Sequence, residues 1–366
     1  MKYERPKYQT PGITVKKSQS TFGGGSEVPI PDYPISAIEN FRRAAQRNKP
    51  MWVPNALTDI QSFFTRGPLF GEQSGVVHVR DLKDGDRYVD WFGGDWTWVS
   101  EAGGPMLTPG TQRLEDITKW ESDLRFPDIT SFDWKSQAKD FMENRYDPDK
   151  AMVVNIGPGC TERLVAILGG YGEAMTVLAL EPEAVLAFFN AYADFFISLI
   201  DSVYELFPVD MVTMHDDWGT ERDTFFSEKM MEELVYEPTR RIVQHVKSKG
   251  GIFELHSCGS VTRFVPYMID MGVDFMQLQR RAVDIPKLKE MYGDKIGVNA
   301  GGLEGLVTGG APPTIEQYLE ALRNTVDIYA KGGGYITSTM RMRDPEELWN
   351  AVFELYCYSR ELYENS

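Results

Sequence analysis

The sequence predicts an α/β protein built as a (β/α)8 TIM barrel, with an N-terminal arm and an inserted antiparallel β-hairpin region. Three observations lead there. From residue 151 onward, short apolar strands alternate with helices, the order that produces a parallel sheet covered by helices. Polar and ionisable residues recur where those strands end, whereas the strand starts are apolar, as expected at the C-terminal mouth of a closed barrel. No glycine-rich dinucleotide fingerprint follows an early strand and no P-loop sequence is present, which favours the barrel over an open nucleotide-binding sheet.

Taken in order, residues 1–33 are rich in Gly, Ser, Pro and Lys and read as an arm, leaving 34–366 as one barrel domain. Ile38, Phe41, Ala44 and Ala45 recur at helical spacing and predict a helix over Ser36 to Asn48, followed by a short strand over Met51 to Pro54. Residues 76–109 alternate around Asp84-Gly85 and Gly93-Gly94, which predicts hairpins rich in Trp91, Phe92, Trp96 and Trp98. Six strand–helix units follow, with strands at Met152 to Ile156, Met211 to Met214, Ile252 to His256, Phe275 to Leu278, Ile296 to Asn299 and Tyr335 to Thr337. Met51 to Pro54 and one strand from the hairpin region bring the count to eight. Thr314 with Gln317 forms a capping box, and Asp344-Pro345-Glu346-Glu347 opens the last helix with proline at its first position.

The 366 residues are 42% hydrophobic and 25% charged, an ordinary globular composition. A net charge of −16 argues against a nucleic-acid partner, because phosphate binding needs clustered Lys and Arg. The longest apolar run, Ala184 to Leu206, is interrupted by Asn190, Asp194 and Asp201 and reads as a buried helix. Met1 to Lys17 is polar and is not read as a secretory signal. Cys160, Cys258 and Cys357 are too few and too scattered for a disulfide framework, which fits a reducing cytoplasm.

The row Glu254, His256, Cys258 stands out. Side chains alternate along a strand, so these three share one face near the strand's C-terminal end, and each can bind zinc. His215-Asp216-Asp217 ends the neighbouring strand. There the aspartates can serve turn chemistry, or the cluster can bind substrate, support a metal ligand or move a proton. Asn299 and Arg341 lie at further strand ends, and the Trp91 to Trp98 aromatics can help wall an apolar pocket.

With these residues in place, the chain resembles the uroporphyrinogen decarboxylase superfamily, and within it the corrinoid-dependent methyltransferases. The resemblance rests most specifically on Asp216-Asp217-Trp218-Gly219-Thr220, Phe226-Ser227 and His256-Ser257-Cys258-Gly259. Asp90-Trp91-Phe92-Gly93, Gly103-Gly104-Pro105 and Phe126-Pro127-Asp128 look like the branch that demethylates methoxylated compounds. In the thiol-methylating members, zinc is held by a His-x-Cys pair and a distant second cysteine. His256 and Cys258 match the pair, but the last strand here, Tyr335-Ile336-Thr337-Ser338-Thr339, carries no thiol. Glu254 is the first choice for the third ligand, about 6–7 Å from His256 along the strand, with His215 and Asp217 as alternatives.

The resemblance implies transfer of a methyl group from a small methoxylated compound, an aromatic one for preference, to a corrinoid. Zinc at His256, Cys258 and Glu254 would act as Lewis acid; His215, Asp216 and Asp217 would serve catalysis; Trp91, Trp98, Asn299 and Arg341 would contact substrate. Cobalamin would arrive on a separate corrinoid protein, and the superfamily favours a homodimer. The competing readings are a metal-free lyase of the same superfamily and a non-enzymatic barrel that binds a corrinoid or tetrapyrrole.

Overall fold

The computed structural model describes residues 2–17, 27–64, 83–101, 104–300, 302–306, 313–337 and 344–365. The expected strand at Val76 to Val79 and the site residue Arg341 lie outside them. In the arm, β1 (Thr14–Lys17) and β2 (Glu27–Ile30) pair antiparallel. β3 (Ile60–Phe64) follows, then the antiparallel β4 (Arg87–Val89), β5 (Asp95–Val99) and β6 (Gly104–Leu107) of the insertion. The remaining strands are β7 (Ala151–Ile156), β8 (Met211–His215), β9 (Ile252–Ser257), β10 (Phe275–Leu278), β11 (Gly297–Ala300) and β12 (Tyr335–Thr337).

Seven parallel strands lie in the order β3-β7-β8-β9-β10-β11-β12, the α/β arrangement the alternating pattern predicts. Asn55 bridges in parallel to Thr337 on the β12 edge, where Ala56 N–H donates to Thr337 O at 3.1 Å and Thr337 N–H donates to Pro54 O at 3.0 Å. Ile60 then opens β3 at the opposite edge. An extended run from 55 to 60 reaches at most about 17 Å, so the two edges are drawn together and the sheet curls into a TIM-barrel type. Two expected strands differ. Met51 to Pro54 makes only the bridge at Asn55, with Trp52 buried and stacked on Tyr33 at 4.4 Å. The second barrel strand is β3 and does not come from the hairpin region, whose described strands pair among themselves.

The interior is layered by the two-residue period of the strands. Ile60, Ala151, Val153, Met211, Ile252, Phe275 and Ile336 form an apolar floor with Phe41 of the helix Ala37–Gln46, whose ring stacks on Phe275 at 6.4 Å. Two residues further along β8 and β9 come Thr213 and Glu254, and two further again His215 and His256, which stand opposite Gln277 on β10. Ser36 caps that floor helix by accepting from Glu39 N–H at 3.1 Å. The capping box at Thr314 and the Asp344 cap are both formed.

The helix Pro182–Leu206 is long and apolar enough to cross a membrane, yet Phe188, Phe189, Tyr192, Phe196 and Leu199 are buried in the core. The helix after Ser227 runs to Ser248 but widens into a π turn at Met231–Val235. Pro238 lies just beyond; lacking an N–H, it cannot complete the regular ladder there.

The insertion is fastened to the barrel by one buried ion pair. Asp90 accepts from Arg163 Nη1 at 2.6 Å, with neither side chain exposed. Its carboxylate also accepts the N–H groups of Phe92 and Gly94 and the Trp96 indole, each at 2.9 Å. The guanidinium lies 4.3 Å from the centre of the Phe92 ring. Removing one partner of a buried pair strands the other's charge, so Arg163→Met is expected to lower the unfolding free energy by about 3–5 kcal/mol, measured by urea denaturation.

Candidate metal centre

Parallel pairing sets His215 opposite His256 and His256 opposite Gln277. The two imidazoles lie 4.5 Å apart between ring centres, tilted by 31°. The segment after β8 is then stitched to the end of β9. Asp216 N–H donates to His256 O at 3.0 Å, Trp218 N–H to Ser257 Oγ at 3.0 Å, and Ser260 N–H to Thr220 O at 2.6 Å. Gly259 has φ +86°, and a Cβ there would lie 2.1 Å from Gly219 O. Only glycine fits that conformation at that approach, which explains the glycine after Cys258.

This stitching gathers Asp217, His256 and Cys258, whose ligand atoms all lie within 4.8 Å of one another. His256 Nε2 is 3.4 Å from Cys258 Sγ and 3.7 Å from Asp217 Oδ1. Cys258 N–H donates to Asp217 Oδ1 at 2.6 Å, which aims the carboxylate. All three side chains are half-buried. Burial first, then Asp217, pushes the Cys258 thiol up to about 12; Asp217 and Glu162 act in the same sense and Arg281 only partly offsets them. The set fits a divalent cation by its chemistry: it offers one nitrogen, one sulfur and one oxygen, a mixture that suits zinc.

Glu254 is not in this group. It is buried one layer below, where both carboxylate oxygens are engaged: Thr213 Oγ1 donates to Oε1 at 3.0 Å, Gln277 Nε2 to Oε1 at 3.3 Å, and Asn299 Nδ2 to Oε2 at 2.7 Å. Burial raises its carboxyl to about 7 against the pull of Asn299 and Thr213. Asn299 is thus committed to Glu254 and is itself buried.

The two aspartates part company. Asp216 is fully buried and caps the helix Cys160–Leu168, accepting Glu162 N–H at 2.9 Å and Thr161 N–H at 3.2 Å, with the Trp218 indole at 2.9 Å. A Cβ on Gly159 would lie 2.5 Å from Asp216 Cβ, so the chain needs glycine for this approach. Burial raises the Asp216 carboxyl to about 7, opposed by those donors. His215 is held well below its ordinary value by burial and by His256 beside it. Trp91 packs edge to face on Phe132 at 5.1 Å, and Trp98 pairs with Pro105 in the insertion's sheet.

Gln277 and Glu162 were not singled out by sequence. Gln277 Oε1 lies 2.8 Å from His256 Nδ1. Glu162 is pushed well above the usual carboxylate range by burial, then by Asp217 and Asp216; burial first, and the neighbouring acidic groups after it, also raise Tyr171, whose ring stacks on Phe225 at 4.5 Å. The available signal was their place just beyond the ends of β7 and within β10; the missing information was register.

Fold and site together define an α/β-barrel protein with its polar residues gathered at the C-terminal mouth. The family model for uroporphyrinogen decarboxylase (URO-D) matches residues 91–340, and the chain belongs to that family. No curated protein matches the sequence. Similar solved structures include a methyltransferase from Methanosarcina mazei, 14% identical over 71% of this chain and 73% of that one, with a TM-score of 0.48. A D-psicose 3-epimerase in the presence of D-fructose is 14% identical over 65% of this chain and 84% of its own, at a TM-score of 0.36. A sugar phosphate isomerase/epimerase from Parabacteroides distasonis is 10% identical over 63% and 82%, at 0.32.

A buried carboxyl titrating near 7 when folded, and in the usual range when unfolded, binds more protons in the folded protein. Its contribution to stability is therefore full below about pH 4 and is lost as pH rises through about 7. Asp216→Asn is expected to flatten that fall between pH 4 and pH 7, read from urea midpoints at several pH values.

Proposed function

We propose that this protein is a methyltransferase that moves a methyl group from a small methoxylated compound, an aromatic one for preference, to a corrinoid carried by a separate protein. The observation that carries the reading is the convergence of Asp217, His256 and Cys258 within 4.8 Å at the barrel mouth. The motifs around Asp216-Asp217-Trp218-Gly219 and His256-Ser257-Cys258-Gly259 support the branch, and family membership supports the superfamily.

His256 Nε2, Cys258 Sγ and an Asp217 oxygen would hold zinc; Glu254, the sequence's first choice for the third position, gives way to Asp217. Zinc bound there would supply Lewis acidity toward the ether oxygen. The rest falls to the chain itself. Asp217 is aimed by the Cys258 N–H at 2.6 Å. Neutral His215 lies beside His256 and offers a polar but uncharged wall. Tyr171 stacked on Phe225 gives a flat aromatic edge that suits an arene. In the transfer, the methyl carbon would pass to the partner's corrinoid as its C–O bond breaks, and the oxygen would leave with that bond's electrons.

The test uses purified protein. About one zinc per chain is expected, and free cob(I)alamin with a panel of methoxyarenes should give the methylcobalamin spectrum. His256→Ala and Cys258→Ala should each lose the metal and at least about 100-fold in rate. Folded protein that takes up no zinc while remaining active would overturn the metal reading. Failure to methylate cobalamin from any donor class, while cobalamin still binds, would favour a binding barrel.

A further inference from the structure

Beneath the three donors, a hydrogen-bonded chain runs through the barrel from Glu254 to Gln277 to His256. It links β9 to β10 and back, and Thr213 on β8 and Asn299 on β11 anchor its lower end. The structure sets its polarity: the amide nitrogen of Gln277 faces Glu254 Oε1 at 3.3 Å, an oxygen that also accepts from Thr213 Oγ1 at 3.0 Å. That turns Gln277 Oε1 toward His256 Nδ1, at 2.8 Å. A carbonyl oxygen only accepts, so Nδ1 must carry the imidazole proton. In the neutral ring, Nε2 is then left with its lone pair, and Nε2 is the atom 3.4 Å from Cys258 Sγ and 3.7 Å from Asp217 Oδ1. A reversed amide would present Gln277 Nε2 to His256 Nδ1 and give His256 the opposite tautomer.

We propose that Glu254 is a positioning residue: through the Gln277 amide it holds His256 in the Nδ1–H tautomer, with the Nε2 lone pair turned toward Cys258 and Asp217. The placement of both anchoring side chains, Thr213 and Asn299, agrees with this. Thr213 and Asn299 occupy the carboxylate's remaining acceptor positions, so Glu254 cannot rise to the mouth without abandoning two hydrogen bonds. Its burial one layer below the donors removes it from ligand distance while leaving it in control of a ligand's orientation. The link to metal binding rests on the proposed function; the tautomer does not.

The experiment has two readouts. In metal-free protein, 15N-histidine NMR should show His256 Nε2 as the unprotonated, pyridine-type nitrogen and Nδ1 as protonated. Glu254→Gln, which can present either a donor or an acceptor to the amide, should populate both tautomers. Gln277→Leu, which severs the chain while leaving Glu254 in place, should do the same. In Zn²⁺ titrations each substitution should weaken affinity by about 10–100-fold. The double substitution should lose no more than the worse single one, because the two residues act in series. Two variants at different positions guard against one that fails to fold, and circular dichroism identifies such a failure. An unchanged tautomer and unchanged zinc affinity in both folded variants would overturn the proposal and leave the methyltransferase reading standing. Complete loss of metal in Glu254→Gln with the wild-type tautomer retained would also overturn it, making Glu254 a ligand. Wild-type protein that binds no zinc but shows the stated tautomer would sink the metal reading alone.

Discussion

Parallel registration of β8, β9 and β10 is the constraint on which the rest of the site depends. It sets His215, His256 and Gln277 level with one another, and Thr213 and Glu254 level one layer below. A slip of a single residue would turn every one of these side chains to the helix-facing side. The apolar floor resists that slip. Met211 and Ile252 lie one repeat before Thr213 and Glu254, Phe275 one repeat before Gln277, and displacing them would expose a continuous cluster closed from below by Phe41. Hydrophobic burial at one end of the barrel thus fixes the geometry of donors at the other.

Two adjacent aspartates divide the work because they point to different partners. Asp216 is spent on structure: it closes the N-terminus of the helix Cys160–Leu168 and takes the Trp218 indole. That same helix carries Arg163, which holds the insertion through Asp90. The insertion, the helix and the segment after β8 are therefore one connected unit, and Asp217 is presented from it toward His256 and Cys258. Every buried carboxylate in this chain of contacts is met by N–H or O–H donors, as the cost of stranding a charge away from water requires.

Polarity at the mouth follows the same economy. Asn299 and Thr213 donate to Glu254 beneath the surface, while Asp217, Cys258 and His256 face each other above.

Much of this was legible in the chain itself. Alternating strands and helices, capping residues such as Thr314 and Asp344, and the polar strand ends are local properties, carried by neighbours within a few residues; they sufficed for the barrel class and for putting His256 and Cys258 on one face of one strand. Met51 to Pro54 was overread, since a proline-ended run can look like a strand yet offer one bridge. The third member of the donor group could not be read locally. Glu254 and Asp217 are equally plausible by residue type, and periodicity favours Glu254 because it shares a face with His256. Only tertiary structure shows that the strand repeat carries Glu254 down into the barrel, while the turn after β8, drawn in by Gly219 against Gly259, brings Asp217 across from another strand. Sequence determines which side chains share a face; the stagger between strands determines which of them meet.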